Sequence, residues 1–268
     1  MTRDEKLQYI LQKKAYNADD LVTIVELLRL PGGCPWDREQ THQSIRNEFI
    51  EETYEVIEAI DNADPVLLRE ELGDVLLQVV MHAQMETEEG RCTFDDVAND
   101  ICVKMIHRHP HVFADVKASN SAEVLKNWEV IKSEEKERRT VTDKLNSIPH
   151  QLPSLMRAVK VGKKAAVLDF PNAASVADKV EEEMAELRAA MTEGDEAHIA
   201  EELGDLLLSV ASLARHLGVD AERALNAATD KFITRFSAVE RAAEERGVTI
   251  QEMSPEILDE IWENVKKS

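Results

Sequence analysis

The run Glu70-Glu71-Leu72-Gly73-Asp74-Val75-Leu76-Leu77 returns as Glu201-Glu202-Leu203-Gly204-Asp205-Leu206-Leu207-Leu208, with Val75 and Leu206 the sole difference between the two. Upstream, Glu52 and Glu55 are answered by Glu183 and Glu186, and an interval of 19 residues separates Glu52 from Glu71 and Glu183 from Glu202 alike. Self-similarity at a fixed offset is the mark of a duplicated structural unit. The 268-residue chain is therefore expected to fold as two copies of one module in tandem. Apolar residues recur at three and four spacing, as in Leu21, Ile24, Val25 and Leu28 or Leu203, Leu206, Leu207 and Val210, which is the rhythm of an amphipathic helix. Nine glycines and eight prolines are too few for a sheet-rich fold with many tight turns, so the expected class is all-α.

Breaks in the rhythm fall at Pro31-Gly32-Gly33, Asp64-Pro65, Gly90, His109-Pro110-His111, between Pro149 and Pro153, and at Gly194, Gly218 and Gly247. Asp64 before Pro65 reads as an N-cap with proline in the first helical turn, and Ser254-Pro255 repeats the device. The charged stretch 132–139, running into Thr140-Val141-Thr142-Asp143, reads as a helix end and connector. The expected organisation is a domain over 1–139, a linker over 140–151 and a second domain over 152–268.

Charge excludes one class of partner. With 32 Lys plus Arg against 53 Asp plus Glu the net charge is −21, whereas a nucleic-acid binder needs a basic face. No stretch reaches the ~18 uninterrupted apolar residues of a membrane span, and MTRDEKLQYI is too charged for a signal peptide, so a cytoplasmic location and no membrane partner are expected. Cys34, Cys92 and Cys102 are odd in number, scattered and without a CxxC pair, consistent with reduced thiols. Neither a GxxxxGK[ST] loop nor a dinucleotide fingerprint is present, so phosphate is not expected to be cradled by backbone.

The chemistry lies in the carboxylates. In each copy Glu-x-x-Glu sits on one helix and Glu-x-x-Asp on the next, and a separation of three puts both members of a pair on one helix face. If a short turn joins the helices antiparallel, four carboxylates converge across their interface. Glu71, with Leu68 and Val75 as helical neighbours, and Glu202, with Ile199 and Leu206, are embedded in apolar sequence. Carboxylates clustered there repel and lose hydration unless a cation compensates them, and all-oxygen ligation suits Mg2+ or Mn2+. Gly73 and Gly204 lie mid-helix, where glycine costs roughly 1 kcal/mol relative to alanine, so a close helix approach or a ligand beside the backbone is expected to offset them. Downstream, Lys231-x-x-x-Arg235 and Lys104-x-x-x-Arg108 each place two cations on one face, either ordinary solvated charge or a phosphate grip. Trp128 and Trp262 are either core or platforms for a base.

Two other readings of the carboxylates stand beside this one. A di-iron bundle needs Glu-x-x-His from two helices, and only Glu39-x-x-His42 has that form. An acidic scaffold, with the carboxylates merely solvating a duplicated bundle, remains the non-enzymatic alternative. His107, His109 and His111 read as a helix stop around Pro110 before they read as a metal site.

Taken together, Gly33-Cys34-Pro35-Trp36-Asp37, Arg108-His109-Pro110-His111-Val112-Phe113, the two carboxylate modules and Ile261-Trp262 resemble the MazG family of nucleoside triphosphate pyrophosphohydrolases, in the all-α NTP pyrophosphatase superfamily, over nearly the whole chain. The resemblance implies two tandem helical-bundle modules, a homodimer, and Mg2+-dependent cleavage of NTPs between the α and β phosphates to NMP and pyrophosphate. It implies Glu183, Glu186, Glu202 and Asp205 as metal ligands of the C-terminal site, with Glu52, Glu55, Glu71 and Asp74 as their N-terminal equivalents in a silent or structural copy. It also implies Lys179, Glu182, Glu201, Lys231, Arg235 and Trp262 as nucleotide-binding positions, with Glu182 a general base or outer ligand and Lys231 and Arg235 balancing phosphate charge. The first copy retains its four carboxylates, Lys104, Arg108 and Trp128, so the sequence itself shows no asymmetry of activity. Where family members often read GFDW, this chain reads Leu168-Asp169-Phe170-Pro171, a departure in the aromatic that bears on base preference.

Overall fold

The structure, a computed structural model, describes residues 1–135 and 140–267, and among the described residues every regular element is helical. It separates into two compact units, residues 1–132 and 133–268. Residues 136–139, where the first domain is expected to end, lie outside the described residues.

The first unit is built from α1 (Arg3–Leu11), α2 (Ala18–Arg29), α3 (Pro35–Glu39), α4 (Arg46–Asp61), α5 (Pro65–Glu88), α6 (Phe94–Arg108) and α7 (Pro110–Phe113), with α8 (Ser121–Glu135) following. The expected N-cap is present: Asp64 Oδ1 accepts from the backbone N–H groups of Val66 and Leu67, and Pro65 occupies the first turn. Antiparallel α4 and α5 form the most extensive helix pair of this unit. Behind α5, Val25, Ile45, Val80, Met81 and Met85 make a buried cluster, against which Leu21, Val22, Leu77 and Phe94 pack. Arg29 locks the loop carrying Cys34-Pro35-Trp36-Asp37: its guanidinium donates in bidentate fashion to Glu88, 2.8 Å for each bond, and to the backbone carbonyls of Asp37 and Gln40. The helix stop at His109-Pro110 is as expected, with α6 ending at Arg108 and α7 beginning at Pro110.

The second unit comprises α9 (Val141–Asn146), α10 (Ser154–Lys164), a 3-10 turn (Ala166–Leu168), α11 (Ala173–Glu193), α12 (Glu196–His216), α13 (Ala221–Glu245), another 3-10 turn (Ile250–Glu252) and α14 (Pro255–Lys267). The stretch 140–151, expected as a linker, carries α9 with a Thr140–Asp143 capping box and places the buried Ile148 against this unit. α11 and α12 repeat the antiparallel pair, joined at Gly194, whose φ of +75° places it in the left-handed region glycine tolerates. The buried apolar set here leans to smaller side chains, among them Val176, Ala190, Ala211 and Ala243. Several large ones stay outside: Leu203, Leu207, Leu208, Phe232 and Ile233 are all exposed.

Candidate active site

Each antiparallel pair brings three carboxylates together. In the second unit Glu183 and Glu186 on α11 meet Glu202 on α12, and in the first Glu52 and Glu55 on α4 meet Glu71 on α5; within each trio one oxygen per residue lies within 4.8 Å of the others. They are the metal-capable groupings found among the described residues, and His107, His109 and His111 form none. Glu71 and Glu183 are buried, a costly position for a carboxylate without compensation.

The fourth carboxylate of each expected set, Asp74 or Asp205, falls outside the trio. Three residues along a helix is short of a full turn, and aspartate lacks the methylene that lets glutamate reach back across the seam. Asp205 is exposed, while Asp74 is near enough for its charge to act on Glu52 and Glu71. The mid-helix glycines also depart from expectation: a Cβ at Gly73 or Gly204 would meet nothing within 4 Å, so no close helix approach inside the chain explains them. These faces are open.

The two trios differ in their counter-charge. In the second, Lys179 Nζ donates to Glu182 at 2.7 Å, lies 2.9 Å from Glu183 and reaches to 4.0 Å from Glu186. Those carboxylates hold the Lys179 ammonium above its ordinary pKa, Glu182 having the largest effect. His198 bridges Glu193 at 3.2 Å and Glu202 at 3.1 Å, and its pKa is raised by Glu193 first and then by Glu202. In the first trio no Lys, Arg or His ion pair reaches Glu52, Glu55 or Glu71 among the described residues. Burial pushes the Glu52 and Glu71 pKa values up, reinforced by Asp74 and Glu55 at Glu52 and by Glu55 and Asp74 at Glu71. At Glu186 burial again raises the pKa, but Lys179 opposes it.

Lys231 and Arg235 sit on α13, which packs chiefly on α14 and only slightly on α12. Lys231 is exposed and Arg235 half-buried, and neither forms an ion pair with the trio within this chain. Trp262 lies against Phe232 at 5.4 Å between ring centroids, lining with Phe236, Val239 and Leu258 a cavity of about 310 Å3. In the first unit Arg108 is buried and stands over Trp128 at 5.5 Å, with Lys132 at 4.6 Å from the same ring. Glu201 is exposed on α12. His198 is the residue the sequence reading passed over; its signal was there, four positions before Glu202 on one helix face.

Comparison with known proteins settles the lineage. The model of the MazG nucleotide pyrophosphohydrolase domain matches this chain twice, over residues 40–113 and 172–240, each segment containing one antiparallel pair and its trio. The chain belongs to the MazG family. Its relatives in that family include a nucleoside triphosphate pyrophosphohydrolase of Escherichia coli, 47% identical over 93% of this chain and 97% of that protein. A nucleoside triphosphate pyrophosphohydrolase/pyrophosphatase MazG of Thermotoga maritima is 43% identical over 92% of this chain and 95% of its own length. The Bacillus subtilis protein YabN, described as uncharacterized, is 43% identical over 99% of this chain, which spans 54% of it. The matched segments run from just before α4 to the end of α7 and from α11 into α13, leaving α1, α2, α3, α8, α9, α10 and α14 outside.

Proposed function

We propose that this chain is a Mg2+-dependent nucleoside triphosphate pyrophosphohydrolase of nucleotide-pool house-cleaning, converting an NTP or dNTP and water to NMP and pyrophosphate. The observation that carries the reading is the Glu183–Glu186–Glu202 trio, set in a chain nearly half identical end to end with a protein of that activity. Three carboxylate oxygens within 4.8 Å of one another, one of them from the buried Glu183, suit a hard divalent cation. Mg2+, with Mn2+ as its substitute, would be held by Glu183, Glu186 and Glu202, with Asp205 completing the set. Glu52, Glu55, Glu71 and Asp74 are the corresponding ligands of the first unit.

When bound, such a cation supplies charge neutralisation at the triphosphate and a more acidic water. The protein's own groups do the rest. Water attacks the α phosphorus in line, the α–β anhydride bond breaks, and pyrophosphate leaves with the bonding pair. Glu182, exposed beside Glu183, takes the proton from the attacking water or orients it. Lys179, Lys231 and Arg235 balance phosphate charge, Glu201 contributes a polar contact, and Trp262 offers its ring to the base. Because Lys231 and Arg235 make no ion pair with the trio of the same chain, and α12 exposes Leu203, Leu207 and Leu208, a homodimer is the arrangement that covers the open face. Nucleic acid plays no part in this reading. With no helix among the described residues long and apolar enough to cross a membrane, the cytoplasm is the proposed site of action.

The test is product analysis by HPLC with each ordinary NTP and dNTP in Mg2+, repeated in 18O-labelled water. The expected result is NMP carrying the label and unlabelled pyrophosphate. Inorganic phosphate with NDP, or no turnover with any nucleotide, would overturn the reading.

A further inference from the structure

Lys179 occupies a place that the first unit fills differently. Taking Glu71 and Glu202 as equivalent, the same offset sets Glu48 at the position of Lys179 and Leu67 at that of His198. One trio thus has an ammonium 2.9 Å from its buried member, and the other has a further carboxylate at that place in the repeat. A lysine nitrogen within 4.0 Å of both Glu183 and Glu186 stands beside the space bounded by carboxylate oxygens that lie within 4.8 Å of one another. A divalent ion ligated at ~2.1 Å would share that space, and two cations so close repel, most of all beside the buried Glu183.

We propose that Lys179 is the internal counter-ion of the second site: in the nucleotide-free protein it neutralises Glu183 and Glu186, it yields that place to a divalent cation, and it then serves the substrate's phosphates. This rests on the proposed function for the carboxylates and adds an order of events to it. Two consequences follow from the charge alone. The first trio, with no ammonium to displace, takes a divalent cation more tightly than the second when nucleotide is absent. At the second trio a cation and a triphosphate help each other bind, because each relieves Lys179 of a conflict.

Mn2+ binding to the full chain, read by electron paramagnetic resonance without nucleotide, separates the possibilities. Glu71→Gln isolates the second site and Glu202→Gln the first. In the Glu71→Gln background, Lys179→Gln is expected to tighten Mn2+ binding by roughly tenfold, while weakening binding of a triphosphate with a non-hydrolysable α–β bridge by a similar factor. Lys179→Arg keeps the charge and should leave Mn2+ binding weak. These opposite signs are the signature, since a lysine that merely braced α11 would, on removal, weaken both. Mn2+ affinity unchanged or lowered by Lys179→Gln would overturn the proposal while the carboxylate site itself stands. If neither Glu71→Gln nor Glu202→Gln removed a bound Mn2+, the carboxylate reading would fail first and Lys179 with it.

Discussion

Leu77 and Leu208 close the same octapeptide, yet Leu77 packs against the Val25–Ile45–Val80 cluster and Leu208 is 49% exposed. The local pattern is alike, so the difference is tertiary. α5 has α2 laid along it and α6 behind it, whereas α12 takes α10 on one flank, buries Leu206 and leaves Leu203, Leu207 and Leu208 outward. The glutamates diverge in the same way, with Lys179 and His198 compensating one trio while burial and neighbouring carboxylates act together on the other. Duplication conserves the geometry that gathers carboxylates. What surrounds the gathering is free to change, and with it the work each copy can do.

The largest effect that can break this comparison is catalytic. Glu202→Gln is expected to lower kcat/KM for NTP cleavage at least about a hundredfold, and Glu71→Gln to leave it within a few-fold, measured as NMP release in Mg2+. Equal losses would mean that the first trio also turns over substrate. Next in size is packing. Ile45→Ala empties a site in the tightest cluster and should cost about 3 kcal/mol in urea unfolding, whereas Leu208→Asp should leave the fold of the protomer and shift sedimentation towards a smaller species. A variant that unfolds in place of dissociating would show that Leu208 is core after all.

Ala63 and Gly194 hold equivalent places in the turns between paired helices, and Ala63 has φ +51°, left-handed backbone that a Cβ resists. Ala63→Gly is therefore expected to stabilise the chain by about 1 kcal/mol, seen as a higher midpoint of unfolding, with Gly194→Ala moving it the other way. The smallest effect expected is on pH dependence. In the first unit His42 Nδ1 meets His82 Nδ1 at 2.7 Å and His42 Nε2 donates to Glu86 at 2.8 Å, with Arg91 on the same carboxylate. Burial, then His42, lowers the His82 pKa, so the fold favours the neutral ring: stability is full above about pH 6.5 and declines as pH falls through the lowered value. Glu86, held at about 2 chiefly by Arg91, contributes above pH 4.5 and loses that contribution as pH falls towards 2. Thermal melts from pH 8 to 5 should show a decline that His82→Asn flattens; an unchanged slope would remove the pair from the account.

Much of this was legible in the letters. The helical class, the paired helices, the proline caps and the meeting of Glu183 and Glu186 with Glu202 all follow from spacing, because a regular helix converts residue counts into directions in space. What spacing cannot convey is reach and company. Asp74 and Asp205 share the register of the glutamates but fall short of the trios, since register fixes the face and side-chain length fixes contact. Gly73 and Gly204 invite a tight crossing, yet the folded chain leaves open space beside them. Ala63 gives no turn signal of its own, because its left-handed backbone is imposed by the helices on either side. Lys231 and Arg235 lie on a helix that packs on α14, where Phe232 meets Trp262, and on α10, contacts that no local pattern records.

The turn at Gly194 has a further consequence. With α11 ending at Glu193 and α12 beginning at Glu196, hardly any slack separates two long helices, so the phase of one is geared to the other. Adding one residue in the first turn of α12, before Glu202, would rotate Glu202 by about 100° and shift it by about 1.5 Å relative to that turn, carrying it off the seam while leaving every letter of the motif intact. The site is thus written less in which residues are present than in how many stand between them, and over generations such a chain should forgive a misspelling in this turn far more readily than a miscount.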